Sequence, residues 1–323
     1  MPQKRLASGE AEIAVLVVGD GGMGAHWHAA LAPGAPDALA AGLRLDAIYP
    51  PKEGKAALSP GVASLESLEA AVDRRPGLVI DTTPANARLT ITAALLRAGL
   101  PVLCEPPMAR DARTAARLLG LAARAAAPFA IAQRLRFAVG PRSLAAQIRG
   151  PAALEAVLPR YIPSPWTRFD AVLLDIFDTA RAVLGADARI AAGRLLVGGV
   201  AARFEMARGA VFTCTTGDGA APALTLKANG DVLHWPGTGP ARDAAGRPLA
   251  MLDGPDGPLL ATVAALRAGR HGPTAARDNA RSLAMLVALS KSARQGGAPV
   301  PVHDISLAGD ADDTGWLRAK GDV

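Results

Sequence analysis

A glycine-rich segment near the start of the chain has the spacing that a phosphate-binding turn needs. Gly19-Asp20-Gly21-Gly22-Met23-Gly24 fits the pattern G-x-G-x-x-G, follows the β-branched run Ile13–Val18 and precedes the helix-compatible stretch Ala25–Ala32. In such a context the first glycine allows the tight turn, the second lets a pyrophosphate approach the backbone, and the third lets the helix pack on the strand. The N–H groups at the helix N-terminus would hold the phosphates. We therefore predict a dinucleotide site at Gly19, Gly21, Gly22, Met23 and Gly24, with an ordinary βα loop as the alternative.

This site requires a parallel sheet behind it, and the sequence that follows predicts one. Further strand patterns at Leu43–Tyr49, Leu78–Thr82 and Val102–Glu105 alternate with alanine-rich helical patterns. Such alternation is typical of a doubly wound α/β sheet. Because 323 residues are about twice the usual length of one domain, we expect two: a dinucleotide-binding Rossmann domain over residues 1–132 and a second domain over residues 133–323.

The residues after the second predicted strand bear on the choice of cofactor. An NAD-specific domain ends this strand in a carboxylate that binds the ribose 2′-hydroxyl. Here the strand ends Ile48-Tyr49-Pro50-Pro51, and Lys52 and Lys55 follow. Since these cations could accept a 2′-phosphate, the segment favours NADP over NAD. The alternative is that both lysines belong to a solvated loop.

The second half of the chain predicts an antiparallel sheet. Ala192–Ala202 and Ala210–Thr216 read as two strands, and Asn229-Gly230 is a strong hairpin turn between Leu224–Lys227 and Asp231–Trp235. Three further residues lie on a proline-punctuated loop where they would contact substrate: Tyr161, Trp166 and Arg168. For Trp166 we favour packing in the core or an interface. The polar segment from Asp304 to Val323 has no readable role.

Composition excludes several other classes of protein. The 35 basic and 29 acidic residues give a net charge of +6, and the arginines are scattered, so we expect no nucleic-acid partner. Two cysteines, Cys104 and Cys214, lack the spacing of metal ligands, so we expect no metal site. The polar N-terminus and the lack of a long apolar run predict a cytoplasmic protein with no membrane partner.

Several segments, taken in order, resemble one protein family. Leu78–Pro84 resembles a third strand that ends in a Thr-Pro pair, and Leu95–Ala109 is similar to the signature A-L-x-A-G-K-H-V-L-C-E-K-P-L-A. Gln133–Phe137 resembles the segment that leads into a second domain. Asp175–Gly185 resembles a cleft helix of pattern H-x-x-D-x-x-x-x-x-x-G, and Leu266–Arg270 resembles a closing R-x-G loop. These segments resemble the Gfo/Idh/MocA family of glucose-fructose oxidoreductase, inositol dehydrogenase and their relatives.

The resemblance implies both architecture and activity. It implies a Rossmann domain joined to a C-terminal α+β domain, whose open, mainly antiparallel sheet would form a homodimer or homotetramer. It implies hydride transfer between a nicotinamide and a small-molecule carbonyl, hydroxyl or imine substrate. The residues that it adds to the cofactor site are Thr82, Thr83, Pro84, Glu105 and Pro106.

The chain departs from the family pattern at its reactive positions. Pro106 replaces the signature lysine, which removes a cation and a hydrogen-bond donor. Asp175 stands at the position of the family's cleft histidine, and Arg88 stands at the position of a second family histidine. Asp175 could act as a base if burial or Asp178 raised its pKa, or could pair structurally with Arg181 or Arg136.

Two functions remain open at this point. The first is an NAD(P)-dependent oxidoreductase with a rearranged acid/base set, for which the candidate catalytic residues are Asp175, Arg136 and Glu105. The second is a non-catalytic or non-redox dinucleotide-binding protein that retains the fold.

Overall fold

The computed structural model describes residues 12–19, 21–32, 34–35, 42–49, 61–109, 111–159, 169–196, 199–218, 221–250, 257–269 and 275–305. The chain divides into two compact units. Unit 1 contains residues 1–132 and 259–276, and unit 2 contains residues 133–258 and 277–323. None of the helices in this described part of the chain is long and apolar enough to cross a membrane.

Unit 1 is built on a six-stranded sheet whose strands pair in parallel, in the order β3-β2-β1-β4-β5-β6. The strands are β1 (Ile13–Val18), β2 (Leu43–Tyr49), β3 (Ala63–Ser64), β4 (Leu78–Asp81), β5 (Val102–Cys104) and β6 (Phe129–Ile131). The strand order reverses between β1 and β4, which is where doubly wound sheets bind their ligands. The predicted doubly wound parallel sheet is confirmed.

The helices of unit 1 lie between its strands. They are α1 (Gly22–Ala30), α2 (Leu68–Asp73), α3 (Ile91–Arg97) and α4 (Ala112–Ala125). The Asp111 side chain caps α4 by accepting the N–H of Thr114 at 2.6 Å, which satisfies one of the free donors at the helix start. Every residue of β4 is buried, as expected for a strand covered on both faces.

Unit 2 contains a seven-stranded sheet in the order β12-β11-β7-β10-β9-β8-β13, in which only the β7–β10 pair is parallel. Its elements begin with α5 (Val139–Ala145), β7 (Ala152–Pro159), α6 (Phe169–Leu184), β8 (Ala188–Leu196) and β9 (Gly199–Met206). They continue with β10 (Val211–Gly217), β11 (Ala223–Ala228) and β12 (Asp231–Trp235). After α7 (Pro258–Arg267), which belongs to unit 1 from Leu259 onward, come α8 (Ala276–Arg294) and β13 (Val300–Pro301).

Aromatic packing joins α6 to this sheet. The Phe177 ring lies 4.9 Å from Phe204 and 6.0 Å from Phe212, measured between centroids, and all three side chains are fully buried. Edge-to-face contacts of this kind add to the free energy of burial. One face of the sheet is thereby covered by the helix that carries Asp175 and Asp178.

Two predictions about unit 2 had different outcomes. The hairpin at Asn229-Gly230 is confirmed, since both residues have positive φ angles, 55° and 86°, between β11 and β12. The single strand predicted over Ala192–Ala202 is wrong: this run holds the end of β8 and the start of β9, which pair antiparallel. The adjacent glycines at 198 and 199 are a turn signal in the sequence, and the prediction of one unbroken strand did not take them into account.

The contact between Gly140 and Trp235 provides a test of packing in unit 2. A Cβ atom on Gly140 would lie 2.0 Å from Cδ1 of the buried Trp235 ring, whereas one on Gly150 would meet nothing within 4 Å. We expect Gly140→Ala to lower the free energy of unfolding by about 1–3 kcal/mol, the usual cost of overpacking. Gly150→Ala should change it by less than about 0.5 kcal/mol. Urea unfolding would measure both, and equal stability of the two variants would contradict the packing described.

Candidate functional site

The turn between β1 and α1 is shaped by close backbone contacts. Gly19 has φ +103°, and a Cβ atom on Gly24 would lie 2.0 Å from the Gly19 carbonyl oxygen. A side chain at either position is therefore excluded. Thr82, just beyond β4, donates its hydroxyl to the Val18 carbonyl at 2.9 Å and so holds the end of β1 against the neighbouring strand.

Gly21 differs from the other two glycines because the space around it is open. It precedes the first turn of α1 with φ −60° and ψ −179°, and a Cβ atom on it would meet nothing within 4 Å. Within the part of the chain that the structure describes, no side chain caps α1, and its first turn, Gly22-Met23-Gly24, contains no acidic residue. The helix thus presents uncapped N–H donors and the positive end of its dipole beside an open space, which is an arrangement that binds phosphate.

Asp81, the last residue of β4, organises the Thr82-Thr83-Pro84 segment. The side chain is fully buried, and Oδ1 accepts the backbone N–H of Thr83 at 2.9 Å and its hydroxyl at 2.6 Å. Oδ2 accepts the hydroxyl of Thr92 from α3. Sequence reasoning did not select Asp81 as a functional residue. The sequence feature that could have identified it is an aspartate at a strand end, two residues before a threonine. An aspartate in such a place often accepts the backbone N–H two residues further on.

Arg88 is buried at the ends of β4 and β5. Its Nη1 donates to the Asp81 carbonyl oxygen at 3.2 Å, contacts Cys104 Sγ, and lies 3.9 Å from Asp81 Oδ1. Only 2% of the residue is exposed. Arg88 is therefore a fixed cation that is held inside unit 1.

Glu105 and Pro106 follow β5 at the same edge of the sheet. Glu105 is buried, and its Oε1 accepts the indole N–H of Trp27 at 2.5 Å, which ties the end of β5 to α1. The peptide bond between Pro106 and Pro107 is cis. Glu105 is thus engaged within unit 1, and Pro106 offers no N–H donor.

Asp175 lies on α6 in unit 2 and accepts backbone donors. Its Oδ1 accepts the N–H groups of Arg134 at 3.0 Å and Leu135 at 3.1 Å, and so it caps the 3₁₀ turn Leu135–Phe137. Burial raises the pKa of Asp175 to about 7, although the N–H of Leu135 opposes the shift and the nearby Asp178 adds to it. The carboxyl group can therefore hold or release a proton near neutral pH. The alternative prediction, an ion pair of Asp175 with Arg181 or Arg136, is wrong.

Those two arginines pair with Asp178 instead. Arg136 Nη1 lies 3.0 Å from Asp178 Oδ1 and 3.3 Å from Asp278 Oδ2, and Arg181 Nη1 lies 3.6 Å from Asp178 Oδ1. Burial raises the pKa of Asp178 to about 6, an effect that Arg136 and Arg181 oppose. Arg136 is thus held by ion pairs with Asp278 and with Asp178, which lies three residues after Asp175 on α6.

The predicted site residues fall into two groups. In unit 1 the structure brings together the glycine turn, Thr82, Thr83, Pro84, Glu105 and Pro106 along the carboxyl edge of one sheet. In unit 2 it places Asp175 and Arg136 on neighbouring segments. Asp20, Lys52, Lys55, Tyr161, Trp166 and Arg168 lie outside the described residues, as does the chain beyond 305.

Comparison with known proteins indicates which family and which fold this chain is similar to. The model of an oxidoreductase family with an NAD-binding Rossmann fold, Gfo/Idh/MocA, matches residues 13–133. No curated protein matches the sequence.

Solved structures share the fold along most of the chain. A probable dehydrogenase from Thermotoga maritima is 17% identical with a TM-score of 0.72, over 90% of this chain and 99% of that one. The WlbA dehydrogenase from Bordetella pertussis, in complex with NADH and UDP-GlcNAcA, is 15% identical with a TM-score of 0.73, over 91% and 99%. An oxidoreductase from Agrobacterium radiobacter, in complex with NAD+, L-tartaric acid and magnesium, is 14% identical with a TM-score of 0.73, over 90% and 99%. At these identities the likeness is one of fold, and the family model indicates an NAD-binding oxidoreductase.

The raised pKa of Asp175 predicts how stability depends on pH. Between the pKa of the unfolded chain, near 3.8, and about 7, the folded protein binds more protons at this site than the unfolded chain, so the site makes stability fall as pH rises. Asp175→Asn keeps an oxygen acceptor for both N–H donors but cannot titrate. We therefore expect the unfolding free energy of the wild type to fall more steeply from pH 5 to pH 8 than that of Asp175→Asn. Parallel curves from urea unfolding would show that the pKa of Asp175 is not raised.

Proposed function

We propose that the protein is an NAD(P)-dependent oxidoreductase, because the model of the Gfo/Idh/MocA oxidoreductase family, with its NAD-binding Rossmann fold, matches residues 13–133. It transfers hydride to or from a small carbonyl, hydroxyl or imine-type substrate. The observation that carries this proposal is the open space at Gly21, next to a turn that excludes side chains at Gly19 and Gly24.

The residues of unit 1 fit a dinucleotide. The amides of Gly21, Gly22, Met23 and Gly24 would hold the pyrophosphate at the N-terminus of α1. The Thr82-Thr83-Pro84 segment, Glu105 and Pro106 would line the remainder of the sheet edge. When bound, the nicotinamide supplies the carbon that gives or takes the hydride.

Asp175 would donate or accept the proton that accompanies the hydride. Two N–H donors occupy its Oδ1, so the proton is held or released at Oδ2. A carboxyl group with a pKa of about 7 is suited to both directions of transfer at neutral pH. Arg136 would act through Asp178, keeping a second carboxylate neutralised on the same helix.

We propose NADP rather than NAD as the preferred cofactor, because β2 ends at Tyr49 without a carboxylate and Lys52 and Lys55 follow. Asp46, the only acidic residue in β2, is engaged by Arg44 and Arg74. We also propose that the open face of the unit 2 sheet, which exposes Ala201, Arg203 and Glu205 on β9, joins copies of the chain into a homodimer or homotetramer.

The competing function is a dinucleotide-binding protein without redox activity. Pro106 cannot donate a hydrogen bond, and the contact of Glu105 with Trp27 gives that carboxylate a structural role. Such a protein would bind the cofactor but would turn over no substrate.

Cofactor binding can be tested by following nicotinamide fluorescence while the protein is titrated with NADPH and NADH. We expect micromolar binding, tighter for NADPH. Gly21→Trp should abolish binding without disturbing the fold, because its φ of −60° accepts any residue and the side chain would fill the open space. Gly150→Trp, whose Cβ also meets nothing, is the matched control and should bind as the wild type does. If the wild type bound neither nucleotide below millimolar concentrations, the proposed function would be wrong.

Catalysis can be tested with a panel of carbonyl and imine substrates. For any substrate that the wild type reduces, Asp175→Asn should lower turnover about 10²- to 10⁴-fold while the affinity for NADPH is unchanged, because it removes only the titrating group. Unaltered turnover would exclude Asp175 as the acid/base. Absence of turnover on every substrate, with cofactor binding intact, would favour the competing function.

A further inference from the structure

The guanidinium group of Arg88 crosses the carboxyl ends of two adjacent strands. Its Nη1 donates to the carbonyl oxygen of Asp81, which ends β4, and contacts the sulfur of Cys104, which ends β5. Guanidinium groups remain protonated in proteins. A full positive charge is therefore fixed at the sheet edge where Rossmann domains bind nucleotides.

Two carboxylates, those of Asp81 and Glu105, lie close enough to Arg88 to interact with its charge. The Asp81 carboxylate lies 3.9 Å from Nη1 and is already shared among the donors of Thr83 and Thr92. Burial raises the pKa of the Cys104 thiol far above its usual range, so the sulfur in contact with Arg88 is neutral at physiological pH. Glu105 adds a second carboxylate nearby, but its Oε1 accepts the N–H of Trp27.

One donor of this cation is also unused. Nε of Arg88 is buried and has no hydrogen-bond partner within the part of the chain that the structure describes. A buried N–H without an acceptor costs about 1–3 kcal/mol. Such groups are rare in folded proteins and call for an explanation such as a water or a ligand.

The strand order indicates which half of a dinucleotide lies near this charge. In a doubly wound sheet the nucleotide crosses the reversal point, and the end of β2 contacts the adenosine ribose. The reversal here lies between β1 and β4. The nicotinamide half therefore belongs on the side of β4 and β5, where Arg88 lies.

We propose that Arg88 supplies the positive charge that Pro106 cannot, and that it raises the affinity for reduced over oxidised cofactor. This inference rests on the proposed function. The oxidised nicotinamide ring is a cation and the reduced ring is neutral, so a fixed positive charge beside the ring disfavours the oxidised form alone. Arg88 acts on the cofactor through its charge rather than by contact, because its Nε is fully buried.

The test compares the dissociation constants of NADP+ and NADPH, measured by calorimetry, for the wild type, Arg88→Met and Arg88→Lys. Arg88→Met should lower the ratio of the NADP+ to the NADPH constant by about tenfold, the effect of one unit charge acting over roughly 12 Å in an effective dielectric near 20. Arg88→Lys keeps the charge and should leave the ratio within about threefold of the wild type. Circular dichroism would verify that each variant folds, and Arg88→Gln would replace any Arg88→Met protein that does not.

The outcomes are distinct. A ratio that falls in the uncharged variant and is restored by lysine supports the role of Arg88. Equal weakening of both nucleotides, with the ratio unchanged, would show that Arg88 is structural only and would overturn the inference. If the wild type bound neither nucleotide, the proposed function itself would be wrong.

Discussion

The close approach of α1 to the end of β1 is the constraint on which the nucleotide site depends. A Cβ atom on Gly24 would lie 2.0 Å from the carbonyl oxygen of Gly19, and one on Gly19 would lie 2.4 Å from the hydroxyl of Thr82. Only glycine at both positions lets the helix begin so near the strand. The N–H groups of α1 then point into the open space beside Gly21, and Thr82 holds β4 in place across the reversal of strand order.

A second set of buried polar contacts maintains the carboxyl edge of the same sheet. Asp81, Arg88 and Glu105 bind backbone and side-chain groups from β4, β5, α1 and α3. Buried charges are stable only when paired or hydrogen-bonded, so the partners of these three residues fix how the ends of β4 and β5 are arranged. Pro106 supplies no cation at this edge, whereas Arg88 places a guanidinium there from the connection between β4 and α3.

Local patterns predicted the parts of the fold that depend on local chemistry. The bounds of β1 and β2, the glycine turn and the Asn229-Gly230 hairpin follow from periodicity and turn residues. The division of Ala192–Ala202 between two strands was missed because apolar periodicity alone does not locate a turn. The contacts of Asp81 with Thr92, of Arg88 with Cys104 and of Asp175 with Arg134 could not be predicted. The two partners lie 11, 16 and 41 positions apart along the chain, and tertiary packing brings them together.

Hydrogen exchange measured with and without NADPH tests the central claim, that the β1–α1 turn of unit 1 binds a dinucleotide. We expect the nucleotide to slow amide exchange in residues 18–25 and 82–84, and to leave the strands of the unit 2 sheet unchanged. Unaltered exchange in those two segments at saturating NADPH, or protection confined to unit 2, would contradict the account.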